Sequence, residues 1–158
     1  MSRRLPTLAA LLFVAASLVC GAVACTTASS DDPSAEAWVE IRGQRIAVEI
    51  ADTPDKQALG LGMRDDLPWN HGMYFEYARP AYYAFWMKGM RFSIDIVWLR
   101  DGRIIDITPN VPFQEGGNGP TVRPNRPANA VLEVPAGYAI ANGWLVGDAV
   151  SLERVEAN

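Results

Sequence analysis

Two apolar runs separated by Asp101-Gly102 constrain the fold of this chain more than any other feature. The runs are Ser93–Arg100 and Arg103–Thr108, and Asp-Gly is a pair favoured in two-residue type I′ turns, where both φ angles are positive. Folding about this turn places Leu99 opposite Ile104. Because both faces of the hairpin are largely apolar, we predict that it lies in the middle of a sheet and is covered on both sides.

Two charged residues stand inside the most apolar part of the sequence. Asp95 lies between Ile94 and Ile96, and a buried carboxylate without partners would cost several kcal/mol, so it must be paired, hydrogen-bonded or at a strand end. Lys88 ends a predicted strand over 82–88, and we expect it to pair with Asp95. A structural ion pair is one interpretation. Charges in apolar strands also mark functional sites, which predicts a ligand-binding face for a small anionic or carbonyl-bearing ligand, made by Arg64, Trp86, Lys88 and Asp95.

The N-terminus has the pattern of an export signal. Arg3 and Arg4 are followed by an apolar run, Leu8–Val19, that is too short for a stable membrane span, and small residues then lead to Cys25. The last four residues of this pattern are similar to a bacterial lipobox. We therefore predict a signal peptide over 1–24, lipidation of Cys25, a flexible tether over 25–36, and an exported lipoprotein anchored to the membrane or a periplasmic or extracellular protein.

The remaining chain, 37–154, has the size of one domain, and we expect a monomer. Loss of the two signal-peptide arginines changes the net charge from −4 to −6, which argues against nucleic acid as a partner. Cys20 leaves with the signal and Cys25 becomes the terminus, so the domain has no disulfide.

The fold class predicted from these patterns is α+β. Another hairpin pairs Ala37–Arg42 with Arg45–Ile50 across Gly43-Gln44, a type II′ turn. Thr53-Pro54 opens a short helix over 54–63, and a second helix covers 137–142. We expect seven or eight mainly antiparallel strands in a compact, barrel-like sheet, with a long loop over 109–127.

Three functions are open at this level. The preferred one is a non-enzymatic binding or accessory domain, and the first alternative is a small enzyme that uses Lys88 and Asp95 as an acid–base pair. The second is a copper protein, since thioethers and imidazole bind Cu(I), although methionines also fill irregular cores. Its ligands would be Met63, Met73, Met87, Met90 and His71. No zinc spacing is present, and no cofactor is expected.

A set of short motifs resembles the domain-of-unknown-function 192 family over about Val39 to Glu153. The resemblance implies a compact, mostly-β fold with short helices, in small prokaryotic proteins that often carry an export signal, and it implies no settled activity. The family pattern often has an acidic residue where His71 stands. The motifs are Gly60–Arg64, Leu67-Pro68, Gly72–Phe75, Phe85–Gly89, Asp95–Val97, Val131–Val134, Ala136-Gly137 and Val146–Asp148.

Overall fold

The computed structural model of the protein describes Asp32 and residues 34–156. The predicted signal peptide, Cys25 and most of the tether lie outside these residues. Within the described part of the chain, no helix is long and apolar enough to cross a membrane.

Seven strands form one mixed sheet, which confirms the α+β class with mostly antiparallel pairing. The sheet order is β6-β5-β8-β3-β2-β1-β9, a separate ribbon pairs β4 with β7, and only β2 and β3 run parallel. In chain order the elements are β1 (Ala37–Ile41), β2 (Gln44–Ala51), α1 (Pro54–Leu59), β3 (His71–Ala81), β4 (Phe85–Trp86), β5 (Ile94–Arg100), β6 (Arg103–Val111), β7 (Thr121–Val122), β8 (Ala128–Pro135), α2 (Tyr138–Ala141) and β9 (Val150–Arg154).

The sheet curls without closing into a continuous barrel. Its two ends are β6 and β9, and they approach each other through a bridge between Arg103 and Ala149. The Ile104 amide donates to the Asp148 carbonyl at 3.0 Å in the same place. Two apolar cores cover the two faces of the sheet, because each interior strand sends alternate side chains to opposite sides.

The first hairpin forms with a different turn from the one predicted. Ile41 pairs with Gln44, so the turn residues are Arg42 and Gly43, with φ angles of 52° and 79°. Two positive φ angles identify a type I′ turn instead of the predicted type II′ turn at Gly43-Gln44. Gln44 therefore belongs to β2, and Arg45 pairs with Glu40 instead of Arg42, so the register differs from the predicted one by two residues of β1.

The central hairpin is confirmed at its turn and corrected beyond it. Asp101 and Gly102 have φ angles of 51° and 73°, and Leu99 pairs with Ile104. A regular ladder would then place Trp98 opposite Ile105, but an irregularity between Trp98 and Leu99 sets Trp98 opposite Asp106. β5 lies inside the sheet between β6 and β8, as predicted, whereas β6 is an edge strand and not a central one.

The strand predicted over 82–88 is wrong in extent and in partner. Only Phe85 and Trp86 are extended, and they pair with Val122 and Thr121 and not with β5. The partner strand, β7, comes from the segment predicted to be a long loop over 109–127, of which residues up to Val111 belong to β6. β3 continues through Arg79-Pro80 and ends at Ala81.

Both helices form and are shorter than predicted. The hydroxyl oxygen of Thr53 accepts a hydrogen bond from the Lys56 amide, and Pro54 stands at the first helical position, as the sequence indicates. α1 ends before Gly60, whose φ of 53° and ψ of −137° are accessible almost only to glycine. α2 is a single turn that packs on the face of the sheet to which Asp95 points.

Asp95 is buried and both of its carboxylate oxygens are hydrogen-bonded. This confirms the prediction that the carboxylate has partners. Its Oδ1 accepts hydrogen bonds from the amides of Asn110 at 2.8 Å and Gly137 at 2.9 Å, and its Oδ2 accepts one from the amide of Ala139 at 2.9 Å. The carboxylate therefore ties β5 to the end of β6 and to the first turn of α2. Its partners are backbone amides, and the predicted Lys88 is not among them.

Candidate functional site

A row of opposed residues crosses four strands on the face of the sheet opposite Asp95. Glu49 of β2 pairs with Met73 of β3, Met73 pairs with Glu133 of β8, and Glu133 pairs with Ile96 of β5. Directly opposed residues point to the same face, so Glu49 and Glu133 share it. Asp95 precedes Ile96 and therefore points to the other face.

Glu133 is an acid without a partner in the interior. It is 5% exposed, and its Oε2 has no hydrogen-bond partner within the described structure. Burial raises the pKa of Glu133 from 4.5 to about 8, and the charge of Arg64 opposes this rise. Near neutral pH the carboxyl group is thus mainly protonated, and it can donate a hydrogen bond.

A pocket of about 260 Å³ lies between α1 and the sheet and contains Glu133. Its walls are mainly apolar and include four aromatic side chains, Glu133 is buried at its floor, and the exposed Lys88 stands at its rim. We call it the Glu133 pocket, and the side chains that matter here are Phe75, Tyr77, Phe85, Trp86, Lys88 and Glu133.

The end of α1 shapes this pocket. A Cβ atom on Gly60 would lie 3.5 Å from Cζ of Phe75 and 3.9 Å from Oε2 of Glu133. The absence of a side chain at Gly60 leaves the space beside the unpartnered oxygen open. On the other side, the ring of Phe75 meets the ring of Phe85 edge-on with centroids 4.8 Å apart, which fixes the aromatic wall.

The structure does not bring together all four residues that were predicted to form a ligand-binding face. Trp86, which is 49% exposed, and Lys88 both line the Glu133 pocket. Arg64 forms a two-point salt bridge with Glu49 at 2.5 and 2.8 Å, which lowers the pKa of Glu49 and raises that of Arg64. Asp95 lies on the opposite face, and both of its carboxylate oxygens accept hydrogen bonds from backbone amides.

The predicted Lys88–Asp95 pair is therefore wrong. The two side chains lie on opposite sides of the sheet, because Lys88 lines a pocket on the Glu133 face while Asp95 faces α2. The two residues therefore cannot act together as the acid–base pair of an enzyme. Within the described residues Lys88 makes no ion pair shorter than 4.0 Å, so its charge is available to a ligand.

The methionines predicted as copper ligands are mainly core residues. Met73, Met87 and Met90 are at most 6% exposed and belong to the apolar cluster on the Glu133 face, whereas Met63 is 65% exposed. His71 uses Nε2 for a contact of 2.5 Å with Oδ2 of Asp32. This packing supports the core-filling interpretation of the methionines.

Comparison with known proteins identifies the family. The model of DUF192, described as an uncharacterized ACR, matches residues 37–152. The chain belongs to the DUF192 family. This result confirms the resemblance derived from the motifs, and it carries no activity with it. No curated protein matches the sequence.

Two crystal structures share the fold of this DUF192 domain. A protein of unknown function from Novosphingobium aromaticivorans DSM 12444 is 31% identical with a TM-score of 0.66, over 72% of this chain and 83% of that one. A protein from Sinorhizobium meliloti 1021, provisionally described as a transcription regulator, is 27% identical with a TM-score of 0.67, over 77% of this chain and 97% of that one.

Glu133 is the residue of the DUF192 domain that sequence reasoning does not select. It stands in Val131–Val134 as Asp95 stands in Asp95–Val97, a single carboxylate in an apolar strand. The sequence pattern around Glu133 therefore does not differ from the one around Asp95. Only their contacts distinguish them, since Asp95 accepts three backbone hydrogen bonds, whereas Oε2 of Glu133 has no partner among the residues that the structure describes.

Proposed function

We propose that this DUF192 domain is an extracytoplasmic, membrane-tethered binding domain whose Glu133 pocket takes a small carbonyl-bearing or anionic ligand. The observation that supports it best is the unpartnered Oε2 of Glu133 at the floor of the pocket. Buried polar groups are nearly always hydrogen-bonded, and an exception calls for a specific cause. A ligand that accepts a hydrogen bond from the protonated carboxyl group supplies one.

The walls and rim define the rest of the ligand. Phe75, Tyr77 and Phe85 favour an apolar or flat body, and Lys88 at the rim favours an anionic group at its outer end. A matching probe is 4-acetylbenzoate, which has a carbonyl oxygen at one end of a ring and a carboxylate at the other. In 4-ethylbenzoate the carbonyl is missing, and in acetophenone the carboxylate is missing.

We expect 4-acetylbenzoate to bind more tightly than either truncated probe in calorimetric titrations at pH 6.5. Its advantage over 4-ethylbenzoate should shrink as the pH rises through 8, because Glu133 then loses the proton that it donates. Equal affinities for 4-acetylbenzoate and 4-ethylbenzoate at pH 6.5 would contradict the role of Glu133.

Replacing Lys88 by methionine tests the rim. Lys88→Met keeps the aliphatic stem and removes the charge, so the affinity for 4-acetylbenzoate should drop at least tenfold, to that for acetophenone, at an unchanged thermal midpoint. Lys56→Met is the matched control, since Lys56 is the only other lysine and pairs with Glu36 away from the pocket. If both variants bind 4-acetylbenzoate like the wild type, Lys88 is not a ligand residue.

The tether is tested separately at Cys25. We expect the wild-type protein in the membrane fraction, because a lipid on Cys25, together with the predicted signal, would anchor it. Cys25→Ala should move the protein to the soluble exported fraction, and the shift is measured by fractionation and by the mass of the mature N-terminus. A variant that still sediments with membranes would remove the lipid anchor from the proposal.

A second candidate function is general acid catalysis by Glu133, which the raised pKa of this buried group favours. Donation of the Glu133 proton to the ligand carbonyl oxygen, with transfer of a proton from the adjacent carbon to a solvent water, would form an enol. Return to the ketone takes a deuteron from D2O onto that carbon and gives the enol proton back to Glu133. This mechanism predicts that the protein speeds deuterium exchange into the methyl group of 4-acetylbenzoate, followed by NMR, and that Glu133→Met abolishes the effect. Tight binding without faster exchange supports the binding domain instead.

A further inference from the structure

A second pocket adjoins the Glu133 pocket. It has a volume of about 630 Å³, lies under the segment 113–118, and shares Lys88 and Met90 with the Glu133 pocket. We call it the loop pocket. Its other important side chains are Met63, Arg91, Phe113, Gln114, Glu115 and Asn118.

The loop that covers this pocket is held at its far end by the core. A Cβ on Gly119 would come within 2.6 Å of Cβ of Met87, so the backbone at this glycine is in close contact with a buried side chain. The Met87 amide donates to the Pro120 carbonyl at 3.1 Å, and β7 then pairs with β4. Within the loop, the Gly117 amide donates to the Gln114 carbonyl at 3.0 Å. The loop pocket is thus a built feature of the domain.

The chemistry of the loop pocket complements that of the Glu133 pocket. Lys88, which lines both pockets, and Arg91 give the loop pocket two positive charges, Glu115 gives it one negative charge, and Gln114 and Asn118 add amide groups. Arg91 contacts Asp65, but both side chains are exposed, and an exposed pair of this kind is weak enough to be shared with a ligand anion. Met63 and Phe113 are 65% and 41% exposed, so the loop pocket also offers apolar surface to a ligand.

We propose that the loop pocket is a second subsite for the same ligand, which is an elongated amphiphilic anion. Its apolar, carbonyl-bearing end occupies the Glu133 pocket, its carboxylate or phosphate lies at Lys88 and Arg91, and an amide- or hydroxyl-bearing end contacts Gln114 and Asn118. This inference rests on the proposed function of the Glu133 pocket and adds the length and polarity of the ligand.

The test compares 4-acetylbenzoate with N-(4-acetylbenzoyl)glutamine, in which the benzoate carboxyl group becomes an amide and the α-carboxylate of glutamine lies further from the ring, beside a carboxamide arm. We expect the longer probe to bind the wild-type protein at least tenfold more tightly. Phe113→Ala and Asn118→Ala should each remove most of this gain and leave the affinity for 4-acetylbenzoate within twofold. Tyr82→Ala is the control, because Tyr82 is another exposed aromatic and lines neither pocket.

The outcomes separate this inference from the proposed function. Equal affinities of the two probes for the wild-type protein, or losses in Phe113→Ala and Asn118→Ala that fall equally on both probes, would overturn the second subsite alone. If neither probe binds, the Glu133 pocket and the loop pocket both lose their assignment. A tenfold preference that survives in both loop-pocket variants would place the carboxamide arm elsewhere and also overturn the subsite.

Discussion

Replacement of Asp95 by alanine is expected to lower the free energy of unfolding by about 4 kcal/mol. The substitution leaves the amides of Asn110, Gly137 and the buried Ala139 without this acceptor. A hydrogen bond to an ionised group contributes about 1.5–3 kcal/mol, and the three losses overlap because one side chain makes them all. The thermal midpoint should fall by roughly 10–15 °C.

Urea unfolding of Asp95→Ala, Asp95→Asn and Asp106→Ala measures this effect. Asp95→Asn keeps one carbonyl oxygen and should lose about half as much stability as Asp95→Ala. Asp106→Ala is the matched control, because Asp106 accepts a single hydrogen bond from a distant residue, the Asn125 amide at 2.8 Å, and should lose about 1 kcal/mol. Similar losses in Asp95→Ala and Asp106→Ala would show that the three amides find other partners.

The stability of the wild-type domain is expected to decrease by about 4 kcal/mol between pH 4.5 and pH 8 because of Glu133. The folded protein keeps the Glu133 proton up to a pKa of about 8, whereas the unfolded chain releases it near 4.5. In this interval the folded state binds more protons, so a rise in pH favours the unfolded state. Each unit of difference in pKa contributes about 1.36 kcal/mol.

Glu133→Met should remove this part of the pH dependence. The variant buries a side chain of similar shape without a titrating group, so its free energy of unfolding should be flatter between pH 4.5 and pH 8 and exceed that of the wild type at pH 8. Glu76→Gln is the control, since Glu76 is exposed and pairs with Arg154, and it should keep the wild-type slope. Equal slopes in the wild type and Glu133→Met would mean that Glu133 titrates normally.

Another carboxyl group titrates in the opposite sense but outside this interval. The hydrogen bonds from Arg64 lower the pKa of Glu49 below 4.5. The stabilisation that Glu49 provides is therefore complete above the pKa of the unfolded chain and is lost as the pH falls through the lowered folded value. Urea unfolding at pH 4.5 and above consequently reports mainly on Glu133.

Local features of the sequence predicted the elements whose hydrogen bonds join residues close together in the chain. The Asp101-Gly102 turn and the Thr53-Pro54 helix start depend on a few adjacent residues, and both formed as expected. The register beyond Leu99 did not, because β5 also pairs along its whole length with β8, thirty-odd residues further on. A strand that is hydrogen-bonded to a neighbour on each side can contain a bulge that a two-stranded hairpin does not require.

Long-range pairing also explains why the strand predicted over 82–88 failed. Its aromatic residues favour extended structure, but only Phe85 and Trp86 find a partner, which is β7 within the supposed loop over 109–127. Nothing in either segment specifies that pairing locally. The same contact holds Gly119 against Met87 and thereby gives the loop pocket its wall.

The sequence by itself determined the α+β class, the Asp101-Gly102 turn, the family, and the need of a buried Asp95 for hydrogen-bond partners. It did so because turn chemistry, alternation and the cost of burying a charge act over a few residues. Only the tertiary structure determined which of the two carboxyl groups has an oxygen without a hydrogen-bond partner among the described residues. Asp95 and Glu133 are the same pattern in the chain, but β5 turns one toward the amides of α2, while β8 turns the other toward a pocket where, within the described residues, its Oε2 has no hydrogen-bond partner. Which face a side chain occupies, and what covers that face, depends on strands that are distant in sequence.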